Sequence, residues 1–406
     1  MAVISISQPR PYENLASSGK RIDSIDLLRG LVMIIMALDH TRDFFHMTAW
    51  TADPLDPATT SPALYFTRWI THLCAPTFVF LSGTSAWFQS LRKSKKELSL
   101  FLIKRGFWLI LMEVTIVNLS FGFDLGFHLI ALQVIWAIGI SMVILGLLIW
   151  LPYAALLVIG IIIVAGHNIL DFAEAKNTAP SGVWYNLLHQ PKIVQLWSDH
   201  SLLVFYPFLA WTGLMILGYC FGKLFLSVES SRRNKMLIAL GLGLLVFFAL
   251  LRYTNYYGNP FPWSEQRTGF RSFLSFMNVQ KYPPSLLFMC ATIGISLLLL
   301  ALLSKVRNRV TDFITVYGRV PFFYYLIHFY LIHFVSAVFF FARGHSFAEG
   351  TKPSGTLVPF FIAPGEGVRL PWVYLIWILV VLSLYPLCKW YSRYKKTHDY
   401  WWLSYL

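Results

Sequence analysis

Charged residues are scarce in this 406-residue sequence: Asp, Glu, Lys and Arg make up 13% of it, whereas soluble domains have about 25%. Hydrophobic residues make up 57%. A chain of this composition cannot cover its apolar surface with polar side chains, which excludes an ordinary water-soluble domain. Lipid must therefore solvate much of the surface, and we predict an integral membrane protein.

Cysteine is also scarce. The four cysteines all lie in apolar stretches, which excludes a disulfide framework and a C-x-x-C metal site. We expect them to be small packing residues. They are Cys74, Cys220, Cys290 and Cys388.

Several catalytic motifs are missing as well. The sequence has no G-x-S-x-G turn, which excludes the usual hydrolase nucleophile, and no Gly-rich phosphate loop. It also has no H-x-x-x-H or H-E-x-x-H pair. No metal ion is therefore expected.

Acidic residues are outnumbered: 19 Asp and Glu stand against 33 Lys and Arg, which gives a net charge of +14. A basic chain can bind nucleic acid, but a membrane protein gathers Lys and Arg in its cytoplasmic loops. We take the second interpretation, so no nucleic acid partner is expected.

Ten apolar runs are long enough to cross a membrane, which takes about 20 residues for a hydrocarbon core of about 30 Å. The runs are continuously apolar, whereas the strands of a membrane barrel alternate. The sequence predicts an all-α, polytopic integral membrane protein with about ten transmembrane helices. These cover residues 24–45, 65–91, 98–121, 127–149, 152–172, 203–226, 233–252, 283–305, 319–341 and 370–391.

The distribution of basic residues predicts the orientation. One set of connections holds 22 of the 33 Lys and Arg residues and should face the cytoplasm. Both termini then lie inside: residues 1–23 form a cytoplasmic segment, 24–391 the transmembrane domain and 392–406 a cytoplasmic tail. The first apolar run lacks a cleavage site after it, so we expect it to be retained as a signal anchor. A bacterial inner membrane is the expected location.

Ionisable residues within a membrane span are costly and usually functional. The densest group ends the first helix and consists of Asp39, His40, Arg42, Asp43 and His46. Carboxylate and imidazole groups recur there on adjacent turns, since residues three or four apart are neighbours on a helix. Such a combination suits proton transfer. The alternative is a polar helix end that reaches to water and pairs internally.

Other candidates lie at similar depth. His72 in the second helix and Glu113 in the third are expected near the outer leaflet, where Glu113 would pair with a buried Arg or His. His328 lies nearer the midplane. Arg68 and Lys281 are at outer helix ends and could contact a substrate. The alternative for these two and for Arg252 is that the long side chain reaches to water.

Six short segments carry a resemblance that spans most of the chain. They are Arg21-Ile-Asp23-Ser24-Ile-Asp26-x-x-Arg29-Gly30, Asp39-His40-Thr41-Arg42, Cys74-Ala-Pro76-Thr-Phe78-Val-Phe80-x-x-Gly83, Tyr206-Pro207-x3-Trp211-x-Gly213, Lys281-Tyr-Pro-Pro-Ser285 and Gly318-Arg319-x-Pro321-Phe-Phe-x-Tyr325-Leu-Ile-His328. Together they resemble the heparan-α-glucosaminide N-acetyltransferase family, and more closely its bacterial relatives.

The resemblance implies acetyl transfer across a membrane. Acetyl-CoA on the cytoplasmic side supplies the acetyl group, and a sugar amine on the far side accepts it. Asp39 stands where the family has an Asn at the outer end of the first helix. His72, four residues before Pro76, stands where the family has an Asp. The nearest counterpart of the family's catalytic loop histidine is His46, and His40 is an alternative.

The chemistry of the residues is consistent with an acyltransferase. A neutral His held by a carboxylate can deprotonate an acceptor, so we take His40 as the base, oriented by Asp39 or Asp43. Arg68 or His72 could stabilise the oxyanion. The expected partners are the lipid bilayer, acyl-CoA and an extracytoplasmic sugar or glycan acceptor, and a homodimer is one assembly to expect.

Two functions of other classes remain alternatives. Buried His and carboxylate groups also serve proton relays, so a proton-coupled membrane transporter fits the same cluster. A lipid or glycan binding protein without turnover is the third. Stabilisation by CoA would favour the enzyme over the transporter.

Overall fold

The computed structural model describes residues 23–351 and 357–404 and is predominantly helical there. The predicted cytoplasmic segment 1–23 lies outside the described residues except for Asp23.

Helix α1, Asp23–Phe45, lies at the centre of the fold. Asp23 and Asp26 in its first turn and Arg42 in its last complement the helix dipole. Within the described part of the chain it packs closely against six other helices, so most of its length is buried. We call the end of the bundle where α1 finishes the site end, and the opposite one the basic end.

The predicted second span, 65–91, is broken into two helices. These are α2, Pro62–Thr71, and α3, Cys74–Ser90, and His72 lies at the break. Pro76 accounts for the break, because it has no N–H to donate to the carbonyl of residue 72 and its ring clashes with that carbonyl.

The next predicted spans also prove to be segmented. The run expected at 98–121 changes to a π-helical turn at Glu113–Val117, and the run expected at 152–172 is interrupted after Gly166. The helices are α4, Lys95–Met112; α5, Asn118–Gly122; α6, Val134–Leu148; α7, Tyr153–Gly166; α8, Ile169–Ala175; and α9, Val183–Leu188.

A three-stranded sheet replaces part of two predicted helices. Strand β1, Leu129–Leu132, lies within the span expected at 127–149, and β3, His200–Val204, overlaps the start of the one at 203–226. Strand β1 pairs in parallel with β3, which pairs antiparallel with β2, Lys192–Trp197. The prediction was wrong here because a short apolar run fits a strand as well as a helix.

The longer of the remaining helices follow the predicted spans with shifted ends, whereas Gly269–Met277, Arg309–Arg319 and Phe347–Gly350 are short helices in segments predicted as connections. The last helix continues to Thr397, so part of the segment predicted as a tail is helical. They are α10, Phe208–Gly222; α11, Leu224–Ser227; α12, Ser230–Thr254; α13, Gly269–Met277; α14, Leu286–Leu303; α15, Arg309–Arg319; α16, Pro321–Ala342; α17, Phe347–Gly350; and α18, Leu370–Thr397, followed by a 3-10 turn at Trp401–Ser404.

Five helical stretches in the described part of the chain are long and apolar enough to cross a membrane. Two shorter apolar helices, α6 and α10, accompany them. The molecule is therefore an integral membrane protein. The five stretches are Tyr153–Ala175, Ser230–Thr254, Leu286–Leu303, Pro321–Ala342 and Leu370–Thr397.

Paired glycines bring neighbouring helices into close contact. Gly30 of α1 faces Gly318 of α15, and Gly83 of α3 lies against the α10 turn that holds Gly218. A Cβ atom at Gly218 would collide with the carbonyl oxygen of Phe80. Small residues at such crossings let the backbones approach, which is a main source of helix association in membranes.

Replacement of Gly218 by alanine is expected to destabilise the protein by about 1–3 kcal/mol, because the obstructing atoms belong to the backbone. Gly243 in α12 is the matched control, since a Cβ there meets nothing within 4 Å. Alanine at Gly243 should leave the melting temperature in detergent unchanged or raise it. Equal melting temperatures for the two variants would contradict the close crossing of α3 and α10.

Candidate active site

A buried ion-pair network occupies the last turns of α1. The Asp39 carboxylate accepts from Arg42 of the same helix at 3.0 Å and from Arg68 of α2 at 2.5 Å. The side chains of all three are nearly buried. Arg42 also pairs with Asp43 at 2.6 Å, and the Asp43 carboxylate is partly exposed. The predicted cluster thus pairs largely within itself, and Arg68 ties it to α2.

His72 lies beside this network at the break between α2 and α3. Its side chain is 1% exposed. Among the described residues, neither ring nitrogen has a hydrogen-bond partner. Arg68 and Asp39 both act on it electrostatically. Buried polar groups are normally satisfied, so His72 has an unused hydrogen-bonding capacity that a ligand could take up.

A cavity of about 550 Å³ opens above the network. Arg68 of α2 and His72 at the helix break line it, and Lys281, Trp50 and Gln266 contribute from the connecting segments. The cavity places the unpartnered imidazole and two cationic side chains around one space.

His40 belongs to a separate group on the next face of α1. Its Nδ1 lies 2.7 Å from Nε2 of His328 in α16, and its ring stacks on Phe329 with 4.0 Å between the centroids. His328 Nδ1 lies 2.9 Å from the carbonyl oxygen of Tyr324, which can only accept. With both rings neutral, His328 therefore accepts at Nε2, His40 donates from Nδ1, and the Nε2 lone pair of His40 remains free.

The partner of His40 differs from the one expected. The sequence predicts that Asp39 or Asp43 orients this ring, but among the described residues its ring nitrogen bonds to His328. Consecutive residues on an α-helix point about 100° apart. The side chains of Asp39 and His40 therefore leave α1 in different directions. His40 still interacts electrostatically with Asp39, Arg68 and Lys281, so the two groups are neighbours.

His46 follows α1 and is less suited to act as a base. Burial, and then the positive charge of Arg42, lower the pKa of His46. Its Nδ1 accepts from the backbone N–H of Thr48 at 3.2 Å and lies 2.9 Å from the Thr48 hydroxyl. That lone pair is already engaged, which leaves the ring as a donor through Nε2.

Glu113 lies in the π-helical turn and has backbone partners. Its carboxylate accepts the N–H groups of Gln133 at 3.1 Å and Trp136 at 2.9 Å, at the start of α6. A carboxylate there satisfies free N–H groups and complements the helix dipole. Within the described residues these bonds take the place of the Arg or His partner expected from the sequence.

Arg252 at the end of α12 does not reach to water, in contrast to the sequence-based alternative. It is 2% exposed and donates to four carbonyl oxygens, each between 2.7 and 3.1 Å away. These acceptors belong to Phe261, Ser275, Phe276 and Asn278. Arg252 thus fixes the loop that forms one wall of the cavity.

Tyr282 is a site residue that sequence reasoning missed. Its ring lies 5.1 Å from Lys281 Nζ, and its hydroxyl is close to Arg68. Tyr282 belongs to the segment Lys281-Tyr-Pro-Pro-Ser285, which is part of the family resemblance. The sequence does not show that the Tyr282 side chain turns toward Arg68 of α2.

A second cavity, of about 310 Å³, lies at the basic end. Arg233, Arg307 and Arg319 line it together with Asp23 and Asp312. It shares no lining residue with the cavity at the site end.

The fold and the site define a helical integral membrane protein with a buried, charged polar site beneath a cavity. The sequence pattern described as "Heparan-alpha-glucosaminide N-acetyltransferase, catalytic" matches residues 21–264, more than half of the chain. The protein therefore belongs to this family of membrane acetyltransferases, which confirms the resemblance. No curated protein matches the sequence. Asp39, His40 and His72 lie inside the matched segment, and Lys281 and His328 lie beyond it.

Proposed function

We propose that the protein transfers an acetyl group from acetyl-CoA to an amine or hydroxyl of a sugar or glycan, at the cavity of the site end. Family membership supports the reaction class. The location is supported by His72, a buried imidazole with both nitrogens unpartnered in the described structure, on the wall of a cavity that also holds Arg68 and Lys281.

The proposed orientation has the basic end in the cytoplasm and the site end outside. The high density of Lys and Arg at the basic end supports this orientation, because cytoplasmic loops carry an excess of these residues. Arg233, Arg307 and Arg319 in the cavity of that end suit the phosphates of CoA. Helix α1 rises about 22 Å between Leu27 and Arg42, at the two cavities. The acetyl group of a CoA bound at the basic end must therefore pass between packed helices to reach the site end.

In the proposed reaction, the acceptor attacks the acetyl carbonyl carbon while His40 Nε2 takes the acceptor proton. Among the described residues His40 does not line the cavity, so the proposal requires the bound acceptor to extend from the cavity past Arg68 to the His40 ring. The new C–N or C–O bond forms, the C–S bond breaks, and the CoA thiolate leaves and takes the proton from the His40 imidazolium, which restores the neutral base. His328 supports this role, because it holds the tautomer with a free lone pair on His40 Nε2. Arg68 can stabilise the oxyanion of the tetrahedral intermediate, and His72 can hydrogen-bond the acceptor.

Proton-coupled transport is the rival function, because the same buried groups could relay protons. It predicts uphill uptake of a solute into vesicles without any acyl-CoA. The acetyltransferase predicts binding of CoA and release of free thiol when an amino sugar is added.

The test uses purified protein in detergent with acetyl-CoA and glucosamine as probes. CoA at 100 times its dissociation constant should stabilise the protein by about 2.7 kcal/mol, because it binds the native state. Thiol release should depend on the amino sugar. Arg319→Gln, in the basic cavity, should weaken CoA binding, whereas Arg271→Gln, in the short helix α13 and outside that cavity, should not. Absence of both stabilisation and turnover, together with uphill uptake in vesicles, would overturn the proposal.

A further inference from the structure

A second polar cluster lies outside the proposed active site, around helix α8. It brings together two histidines and two carboxylates: His167 just before α8, Asp171 and Glu174 within it, and His189 just after α9. His189 is completely buried, and His167 and Asp171 are more than nine-tenths buried. Donor atoms of Asp171, Glu174 and His189 all lie within 4.8 Å of one another.

The hydrogen bonds fix which atoms of this cluster are available. His189 Nδ1 lies 2.8 Å from Glu174 Oε1, which also accepts from the Tyr185 hydroxyl. A carboxylate can only accept, so a neutral His189 carries its proton on Nδ1 and has a lone pair on Nε2. A histidine that donates one nitrogen to a carboxylate while the other faces a metal is the usual arrangement at metal sites.

Two further donor atoms lie near His189 Nε2. His167 Nδ1 is 3.1 Å away, and Asp171 Oδ1 is 4.0 Å away. The other Asp171 oxygen accepts from Asn168 at 2.6 Å, but Oδ1 has no hydrogen-bond partner within the described part of the chain. A hydrogen bond between the two imidazoles would leave this buried carboxylate oxygen unsatisfied, whereas a cation beside His189 Nε2 would give Asp171 Oδ1 a partner.

We propose that His167, Asp171 and His189 bind a divalent transition metal, with zinc as the best match. Metal–ligand bonds of about 2.1 Å in a tetrahedron place the ligand atoms about 3.4 Å apart, which lies between the two distances seen. Imidazole ligands favour zinc over calcium and magnesium. Three protein ligands leave one coordination position for water.

The metal would brace the segment that forms the cavity wall. Asn168 donates to Asp171, and its side-chain oxygen accepts the backbone N–H of Leu286 at 2.8 Å. Leu286 begins α14, directly after the segment Lys281–Ser285. The role is therefore structural, and it does not depend on the proposed acetyl transfer.

The experiment measures zinc in the purified full-length chain, isolated with an affinity tag that contains no histidine. Elemental analysis should find about one zinc per chain. Asp171→Asn keeps the size of the side chain, and it should lower the zinc content at least tenfold, as should His189→Ala. His398→Ala, a histidine outside the cluster, should retain the wild-type content.

Thermal unfolding provides a second measurement if a variant folds poorly. A zinc chelator should lower the melting temperature of the wild-type protein by at least about 3 °C. Added zinc should restore it, and magnesium should not. Wild-type protein without zinc and without a chelator effect would overturn the proposal, as would Asp171→Asn with undiminished zinc.

Discussion

Replacing His40 with alanine is expected to slow acetyl transfer by about 10²- to 10⁴-fold, the usual contribution of a positioned general base. The tautomer of the His40 ring leaves the Nε2 lone pair free, since Nδ1 donates to His328. Binding of CoA should be unchanged, because the basic cavity lies at the opposite end of α1. The measurement is the turnover number at saturating acetyl-CoA, together with the CoA dissociation constant.

Two further variants separate the base from its support. His328→Ala should reduce turnover less than His40→Ala, since it removes the group that orients the ring and leaves the ring itself. His398→Ala, far along the chain in the C-terminal segment, should match the wild-type protein. Unchanged turnover in His40→Ala would remove His40 from the mechanism, and His72 would become the candidate base.

The second large effect is on stability. Asp39→Ala removes the carboxylate from Arg42 and Arg68 and should destabilise the protein by about 3–5 kcal/mol, because buried cations then lack a counter-charge. The melting temperature in detergent measures the loss. Asp39→Asn preserves the size of the side chain and can still accept a hydrogen bond, so its loss should be smaller.

A double variant distinguishes an ion pair from simple packing. Asp39→Asn combined with Arg68→Gln removes opposite charges together, so its loss should be smaller than the sum of the two single losses. Strict additivity, or a small effect of Asp39→Ala, would contradict a buried network between α1 and α2.

Much of the fold could be predicted from the sequence. In lipid, an apolar run must pair its backbone N–H and C=O groups within the protein, and a run of helix length does so by forming a helix. The run that became α1 matches its predicted bounds within a residue. The breaks were harder to foresee. Pro76 accounts for the interruption at His72, but the run near Leu129 paired as a strand because β3 was available beside it.

The sequence located part of the candidate site. It predicts Asp39, His40 and His72 as site residues, because ionisable side chains within a membrane span are costly and usually functional. It could not supply partners distant in the chain, such as His328, which lies 288 residues after His40. The sequence shows only which residues are close along the chain, so it suggests Asp39 as the partner of His40, whereas Asp39 pairs with Arg68 of α2.

Sided transfer in proteoliposomes tests the central claim most directly. The protein is inserted in one orientation, with acetyl-CoA supplied only at the basic end and an amino sugar only at the site end. We predict that acetylated sugar accumulates on the sugar's side while free CoA appears on the other. Acetylation that occurs only when both substrates are on the same side, or no acetylation at all, would contradict transfer through the helix bundle.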